Sequence, residues 1–337
     1  MNGGIADNTI PLHLKPTDLL MSLLISYENG IHAVDAHYLR PRMAAVHLIE
    51  APDRVALVDT GTNDSLSRVI AALDELGYSK EQVEYILLTH IHLDHAGGAG
   101  LMMQHFPNAR LVVHPRGARH MIDPSRLIEG ATAVYGAEEM SRLYGTVLPI
   151  EEARIVVATH DMRVDLAGRK LHILDTPGHA RHHICIRDEL SGHIFTGDTF
   201  GLSYPECNVS GRQFIYPATT PVQFDPDEMH ASIDLLMSFK PDAVYLTHFS
   251  QVRDVTAAAK ELHRLIDAYV YIARQHKSAG NSRHQLIRDG LAELMLKELA
   301  AIGCELPADR ILELLQPDIE INAQGLGVWL DSESRQP

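Results

Sequence analysis

Tyr85-Ile86-Leu87-Leu88-Thr89-His90-Ile91-His92-Leu93-Asp94-His95-Ala96-Gly97-Gly98 is the stretch that decides how the rest of the chain is read. An apolar run fit for a buried strand ends in three histidines and an aspartate, and small residues, two of them glycines, follow. His90 and His92 are two residues apart, so on an extended segment their imidazoles point to the same side. Asp94 and His95 follow where the chain must turn, which swings their side chains to the other flank. One short loop can therefore serve two neighbouring metal ions. A polar turn capping a strand would explain a single histidine here, but not H-x-H-x-D-H directly after an apolar strand.

On the N-terminal side, residues 31–37, 43–49 and 54–59 read as short strands of a meander, the last closing on Asp59-Thr60-Gly61. Residues 1–15 read as a loose polar arm. Leu66, Val69, Ile70, Leu73 and Leu76 recur at helical spacing up to Gly77. After the opening stretch the pattern predicts a helix over 98–105 and a strand over 110–114. A weakly patterned insertion at about 115–150 comes next, carrying Met121, Tyr135, Met140 and Tyr144, and long insertions often shape a pocket. Strands are expected again at 154–158 and 170–175, the second leading into Thr176-Pro177-Gly178-His179. His183 alternates with Ile184 and Ile186 and reads as a strand residue rather than a ligand. Residues 194–200 form an apolar strand that delivers Asp198 beside Gly197, 225–239 a helix, and 242–248 a strand that ends at His248. Beyond Gln251 only helices are indicated, over 255–275, 285–301 and 307–315, with a polar end at 331–337. This divides the chain into a main domain, 1–253, and a helical C-terminal subdomain, 254–337, packed on it.

Composition sets bounds on partners. The 337 residues carry 29 Lys+Arg against 44 Asp+Glu, a formal charge of -15, which disfavours nucleic acid and anionic membrane surfaces. No apolar run is long enough to span a bilayer, and Met1–Asp7 lacks the basic start and apolar core of a signal peptide, so a cytoplasmic location is expected. Three scattered cysteines argue against a disulfide framework and against a thiolate metal site. Histidine is abundant instead, at 21 residues, which raises the expectation of a metal site without locating it.

His90, His92, Asp94, His95, His179, Asp198 and His248 all fall at expected strand ends or in the loops after them. Imidazoles and carboxylates without thiolates suit zinc, manganese or iron. The set is too large for one tetrahedral ion. Two ions about 3.5–4 Å apart, sharing a carboxylate and a hydroxide, would use all of it.

Leu57-Val58-Asp59-Thr60-Gly61, Thr89 to Gly98, Asp175 to His179, Thr196-Gly197-Asp198-Thr199 and Leu246-Thr247-His248, taken in that order, resemble the metallo-β-lactamase-fold hydrolases over roughly residues 30–250. The resemblance implies an α+β fold, a four-layer αβ/βα sandwich with metals at one edge of two packed sheets. It implies that His90, His92 and His179 hold one metal, that Asp94, His95 and His248 hold the other, and that Asp198 bridges them. Asp59 would orient the ligand loop through hydrogen bonds. Two divalent ions are implied, zinc foremost, with iron or manganese as alternatives. A hydroxide shared between them would attack a carbonyl, with Asp94 orienting it and relaying its proton. Tyr204, shortly after Asp198, is a candidate hydrogen-bond donor to the substrate.

The expected function is hydrolysis of an ester-type carbonyl in a small molecule: thioester, lactone or ester. A helical C-terminal part favours glyoxalase II-like thioesterases. Their Cys-Gly-His-Glu-Tyr-type motif, however, is replaced here by Leu246-Thr247-His248-Phe249-Ser250, and Arg274, Lys277 and Arg283 read as solvated helix-end cations. Lactonases of the family carry a tyrosine soon after the bridging aspartate, but Tyr204 is spaced differently. The alternatives are a mononuclear iron persulfide dioxygenase-like oxidoreductase and a non-catalytic binding member of the fold; the full ligand set argues against both. A homodimer is left open.

Overall fold

Residues 24–333 are described in the computed structural model, so the expected polar arm at 1–15 and residues 334–337 lie outside the described residues. The apolar runs pair into two sheets. The first joins β1 (Leu24–Tyr27), β2 (Ile31–Asp35), β3 (Ala45–Ala51), β4 (Arg54–Val58), β5 (Val83–Leu87), β6 (Arg110–Val113) and β7 (Ile155–Val157) in chain order. Its meander half is antiparallel, and β4 to β7 run parallel. The second sheet comprises β8 (Arg163–Leu166), β9 (Arg169–Asp175), β10 (Ile184–Asp188), β11 (Ile194–Gly197), β12 (Val244–Leu246) and β13 (Ser250–Val252), in the order β13-β12-β11-β10-β9-β8.

Side-chain alternation sorts these strands into layers, because successive residues of a strand face opposite ways. Ile49, Ala56, Val58 and Leu87 of the first sheet share one buried cluster with Leu171, Ile173, Ile184, Ile186 and Phe195 of the second. Their neighbours Leu48, Val55, Leu57 and Ile86 fall in a separate cluster that includes helical residues. Among the latter are Val69 and Leu73 of α1 (Leu66–Leu76) and Met103 of α3 (Ala99–His105). Leu174, Cys185, Ile194 and Val244 of the second sheet join the same cluster, as do Met229, Ile233 and Leu236 of α7 (Pro226–Ser238). Helices thus cover the outer faces of two packed sheets, the expected four layers.

Local chemistry sets several helix ends. Gly77, at φ 80°, closes α1 in the left-handed conformation. The Asp225 side chain accepts hydrogen bonds from the Asp227 and Glu228 amides ahead of α7, which starts on Pro226. The insertion folds as α4 (Pro115–Ile122), α5 (Ser125–Tyr135) and α6 (Ala137–Tyr144). The C-terminal part forms α8 (Val255–Gln275), α9 (Arg283–Ala301) and α10 (Ala308–Glu333), and its Leu262, Leu291 and Leu326 continue the same core.

Two features depart from the expected pattern. The strands β1, β8 and β13 and the one-turn helix α2 (Leu93–Ala96) are additions, each only three or four residues long and too short to show a period. The last helix does not stop at Leu315 but runs through Pro317 to Glu333, past the end expected to be polar and loose. An interior proline costs a helix about 3 kcal/mol. Ile311, Leu315 and Ile319 around it, and Leu326, Trp329 and Leu330 further on, are buried, each contributing about 1.5–3 kcal/mol. Burial wins, and the helix continues.

Candidate metal centre

Each sequence-predicted ligand follows a strand that ends at the same edge of the sandwich. Asp59 follows β4, and His90 and His92 follow β5; the next turn, α2, carries Asp94 and His95. His179 follows β9, Asp198 follows β11 and His248 follows β12. Main-chain hydrogen bonds join the two sheets at this edge: Ile184 N to Thr89 O at 2.7 Å, and Ala45 N to Thr247 O at 2.8 Å. Two glycines permit the convergence. A Cβ on Gly178, at φ 124°, would lie 2.4 Å from the Met229 backbone, and one on Gly197, at φ 48°, would lie 2.6 Å from His183 Nε2.

The side chains meet as two groups around Asp198. On one side, His92 Nδ1 lies 2.8 Å from His90 Nε2 and 3.1 Å from His179 Nε2. On the other, Asp94 Oδ2 lies 3.2 Å from His248 Nε2 and 3.6 Å from His95 Nε2. Asp198 addresses both groups. Its Oδ1 is 3.3 Å from His95 and 3.7 Å from His248, while its Oδ2 is 3.5 Å from His179.

Divalent metal ions fit this donor set. His90 with His92 and His179, His90 with His95 and Asp198, and Asp94 with His95 and His248 each bring donor atoms within 4.8 Å of one another. His95 Nε2 and Asp198 Oδ1 face each other at 3.3 Å, yet both are buried atoms with no hydrogen-bonding partner among the described residues. A proton on His95 or a cation between the two atoms would satisfy both, and a metal ion placed there is also within reach of His90.

Hydrogen bonds on the far side of each ring fix which nitrogen faces inward. Nδ1 of His179 bonds to Ala218 O at 3.0 Å, that of His248 to Met43 O at 2.6 Å, and that of His95 to Asp59 Oδ2 at 2.8 Å. Asp59, buried and at φ 60°, also accepts from the Thr89 amide at 2.8 Å, the Thr89 hydroxyl and the Thr247 hydroxyl. It holds the ligand loop as expected. His183 has a role that its alternation with apolar residues does not reveal. It bonds to the Thr176 and Thr199 hydroxyls, and its Nε2 accepts from the Asp198 amide at 3.2 Å. The one hint in the sequence is that His183 directly precedes the apolar strand β10, a position shared in mirror fashion by the ligands that follow strands.

Burial and neighbouring charge set the protonation of the cluster. Burial pushes His90 well below its ordinary pKa and His92 down to about 3, the neutral form that ligates metal. For Asp94 burial works upward, but His95 and His248 outweigh it and bring the carboxyl down to about 2. Burial likewise opposes charge on His95, yet the carboxylates of Asp198, Asp94 and Asp59 hold its pKa well above the usual value.

The cluster opens into a cavity of about 710 Å³. His92, Asp94, Asp198 and His248 lie along its wall. Leu127, Ala131 and Leu143 of the insertion line it, and so do Asp318 and Ile321 of α10, so the insertion and the C-terminal helices both shape it. Tyr144 also lines it, whereas Met121 and Met140 are buried in the core and the Tyr135 side chain lies outside the described residues. Tyr204 is fully buried, and its hydroxyl donates to Asp318 Oδ1 at 3.2 Å, so it reaches the cavity wall through that carboxylate rather than directly. Arg274 and Lys277 pair with Glu333, and Arg283 pairs with Asp331: these cations tie helices together.

Residues 39–248 match the family model described as the metallo-beta-lactamase superfamily. The chain belongs to the metallo-β-lactamase superfamily. Among its relatives there, the metallo-beta-lactamase fold-containing protein ST1585 of Sulfurisphaera tokodaii is 25% identical over 224 residues, which cover 65% of this chain and 78% of that protein. A hydroxyacylglutathione hydrolase of Aeromonas hydrophila is 27% identical over 224 residues, covering 65% of this chain and 68% of that one. The solved structure of ST1585 superposes with a TM-score of 0.61 at 23% identity, covering 88% of this chain and 98% of that one. That of TTHA1429 from Thermus thermophilus gives 0.57 at 22% identity, covering 93% of each. The fold and the histidine–aspartate clusters together make this a metal-dependent, hydrolase-type member of the superfamily.

Proposed function

We propose that the chain is a dinuclear metal-dependent hydrolase that cleaves an ester-type carbonyl, in a thioester, lactone or ester, of a small molecule. The observation that carries this reading is the division of the cluster by Asp198, whose two oxygens face opposite groups of ligands. His90, His92 and His179 would hold one ion, and Asp94, His95 and His248 the other, with zinc the first candidate. The second group supports two ions over the mononuclear iron alternative. When bound, the metals supply Lewis acidity, lowering the pKa of a water and polarising the scissile carbonyl. Asp94, held ionised by His95 and His248, is placed to orient the attacking water and accept its proton. The insertion and α10 exclude water from the acyl part of the substrate.

The cavity wall supports an apolar acyl group: Met43, Leu127, Ala131, Leu143, Leu202 and Ile321 line it, and the exposed Leu39, Val134 and Val222 stand at the same cavity. The name of the Aeromonas relative supports acyl hydrolysis in general. Glutathione itself is less well supported, because Arg274, Lys277 and Arg283 are engaged by carboxylates and do not line the cavity. No helix among the described residues is long and apolar enough to cross a membrane. A cytoplasmic site of action remains part of the proposal.

A panel of thioesters, lactones, aryl esters and phosphodiesters, assayed with and without chelator, tests the reading. Chelator-sensitive turnover confined to the carbonyl substrates is expected. Asp198→Ala should lower it by more than about 100-fold, beyond the effect of losing an outer partner, and reduce bound metal. Unchanged turnover in that variant would remove the bridging role.

A further inference from the structure

Asp318 is a carboxyl group on the cavity wall, where α10 also presents Glu320, Ile321 and Asn322. It projects from α10, half-buried, and shares the cavity with Asp94, Asp198 and His248. The hydroxyls of two fully buried tyrosines hold it: Tyr204 donates to Oδ1 at 3.2 Å and Tyr216 to Oδ2 at 3.1 Å. Both tyrosines hang from chain tied to the metal ligands. Ser203, next to Tyr204, exchanges main-chain hydrogen bonds with the His248–Phe249 segment, and Leu202 pairs with Tyr216. The Arg40 guanidinium lies 4.3 Å over the Tyr204 ring and closes the far side.

A carboxylate has about four acceptor positions, and the tyrosines fill two, one on each oxygen. Among the described residues no other donor fills the rest, and Asp318 lines the cavity. Burial pushes the Asp318 carboxyl up to about 6, against the pull of His248, the two tyrosines and Arg40. A carboxylate on the cavity wall, held from two sides by buried hydroxyls, is suited to reading a ligand.

We propose that Asp318 is a specificity-determining residue that accepts a hydrogen bond from an N–H or O–H of the substrate close to the scissile carbonyl. The inference rests on the hydrolase reading, which takes this cavity as the place where substrate binds and sets its reacting carbonyl at the histidine–aspartate cluster. The substrate class is then an apolar acyl compound bearing one donor near its reacting carbon, such as an N-acyl amide or a hydroxyacyl group.

Two ligand pairs, each differing in one donor, test this by calorimetry on the protein as purified: N-decanoylglycine against N-decanoylsarcosine, and 2-hydroxydecanoate against decanoate. The protein should bind the donor-bearing member of one pair at least about tenfold more tightly, and that pair identifies the donor. Asp318→Asn should shrink the ratio several-fold. Combining Asp318→Leu with Tyr204→Phe and Tyr216→Phe, which removes the whole polar group without orphaning a hydroxyl, should bring it close to one while bound metal stays constant. The methyl group of sarcosine acts in every variant, so the change in ratio isolates Asp318. Equal binding within both pairs, ratios unaffected by the substitutions, or failure of all four ligands to bind would overturn the inference. Because the readout is affinity, these results are distinguishable from failure of the ester panel.

Discussion

His47 shows why one histidine differs from another. It lies in the middle of β3, buried between the sheets against the rings of Phe195 and Tyr245, and is not among the clustered ligands. Burial lowers its pKa to about 4, with the Asp59 charge opposing. The unfolded chain, with an ordinary histidine pKa of about 6.5, therefore binds more protons between those values, so the contribution to stability is complete above about 6.5 and is lost as pH falls toward 4. Between pH 7 and 5 the wild type should lose about 2 kcal/mol more than His47→Leu, measured by urea unfolding at each pH. Parallel losses in the two proteins would contradict a histidine buried in its neutral form. The seven clustered residues are legible in the sequence because each stands at the end of an apolar run, where side chains leave the core together. Asp318 and His183 are not: one sits mid-helix and is defined by tyrosines distant in sequence, the other sits beside a strand and is defined by partners in the loops on either side.

At the scale of elements, the strands and helices whose apolar period is uninterrupted are legible, α1, α7 and α8 among them. The last helix is not, because Pro317 is a local stop signal and the burial that overrides it comes from other helices. The insertion is legible only as a departure from the pattern; that α5 lines the cavity depends on how it folds back. Ala131 on α5 gives a direct test of this. Ala131→Trp should lower kcat/KM for a decanoyl aryl ester by about tenfold or more while changing that for the acetyl ester by less than about threefold. Equal effects on both esters would place the acyl chain elsewhere.

For the whole molecule, two sheets bring five histidines and two aspartates from separate strand ends to one edge, and helices of the insertion and of the C-terminal part enclose the space in front of them. The order of motifs along the chain already implies this edge. The cavity's composition is not implied, since it is built where the insertion and α10 approach the cluster from segments far apart in sequence. We propose that Asp198 divides one cluster into two metal positions. Metal analysis of the purified protein tests it most directly: about two divalent ions per chain are expected. A single iron per chain, or no metal after loading, would rule out two metal positions around Asp198.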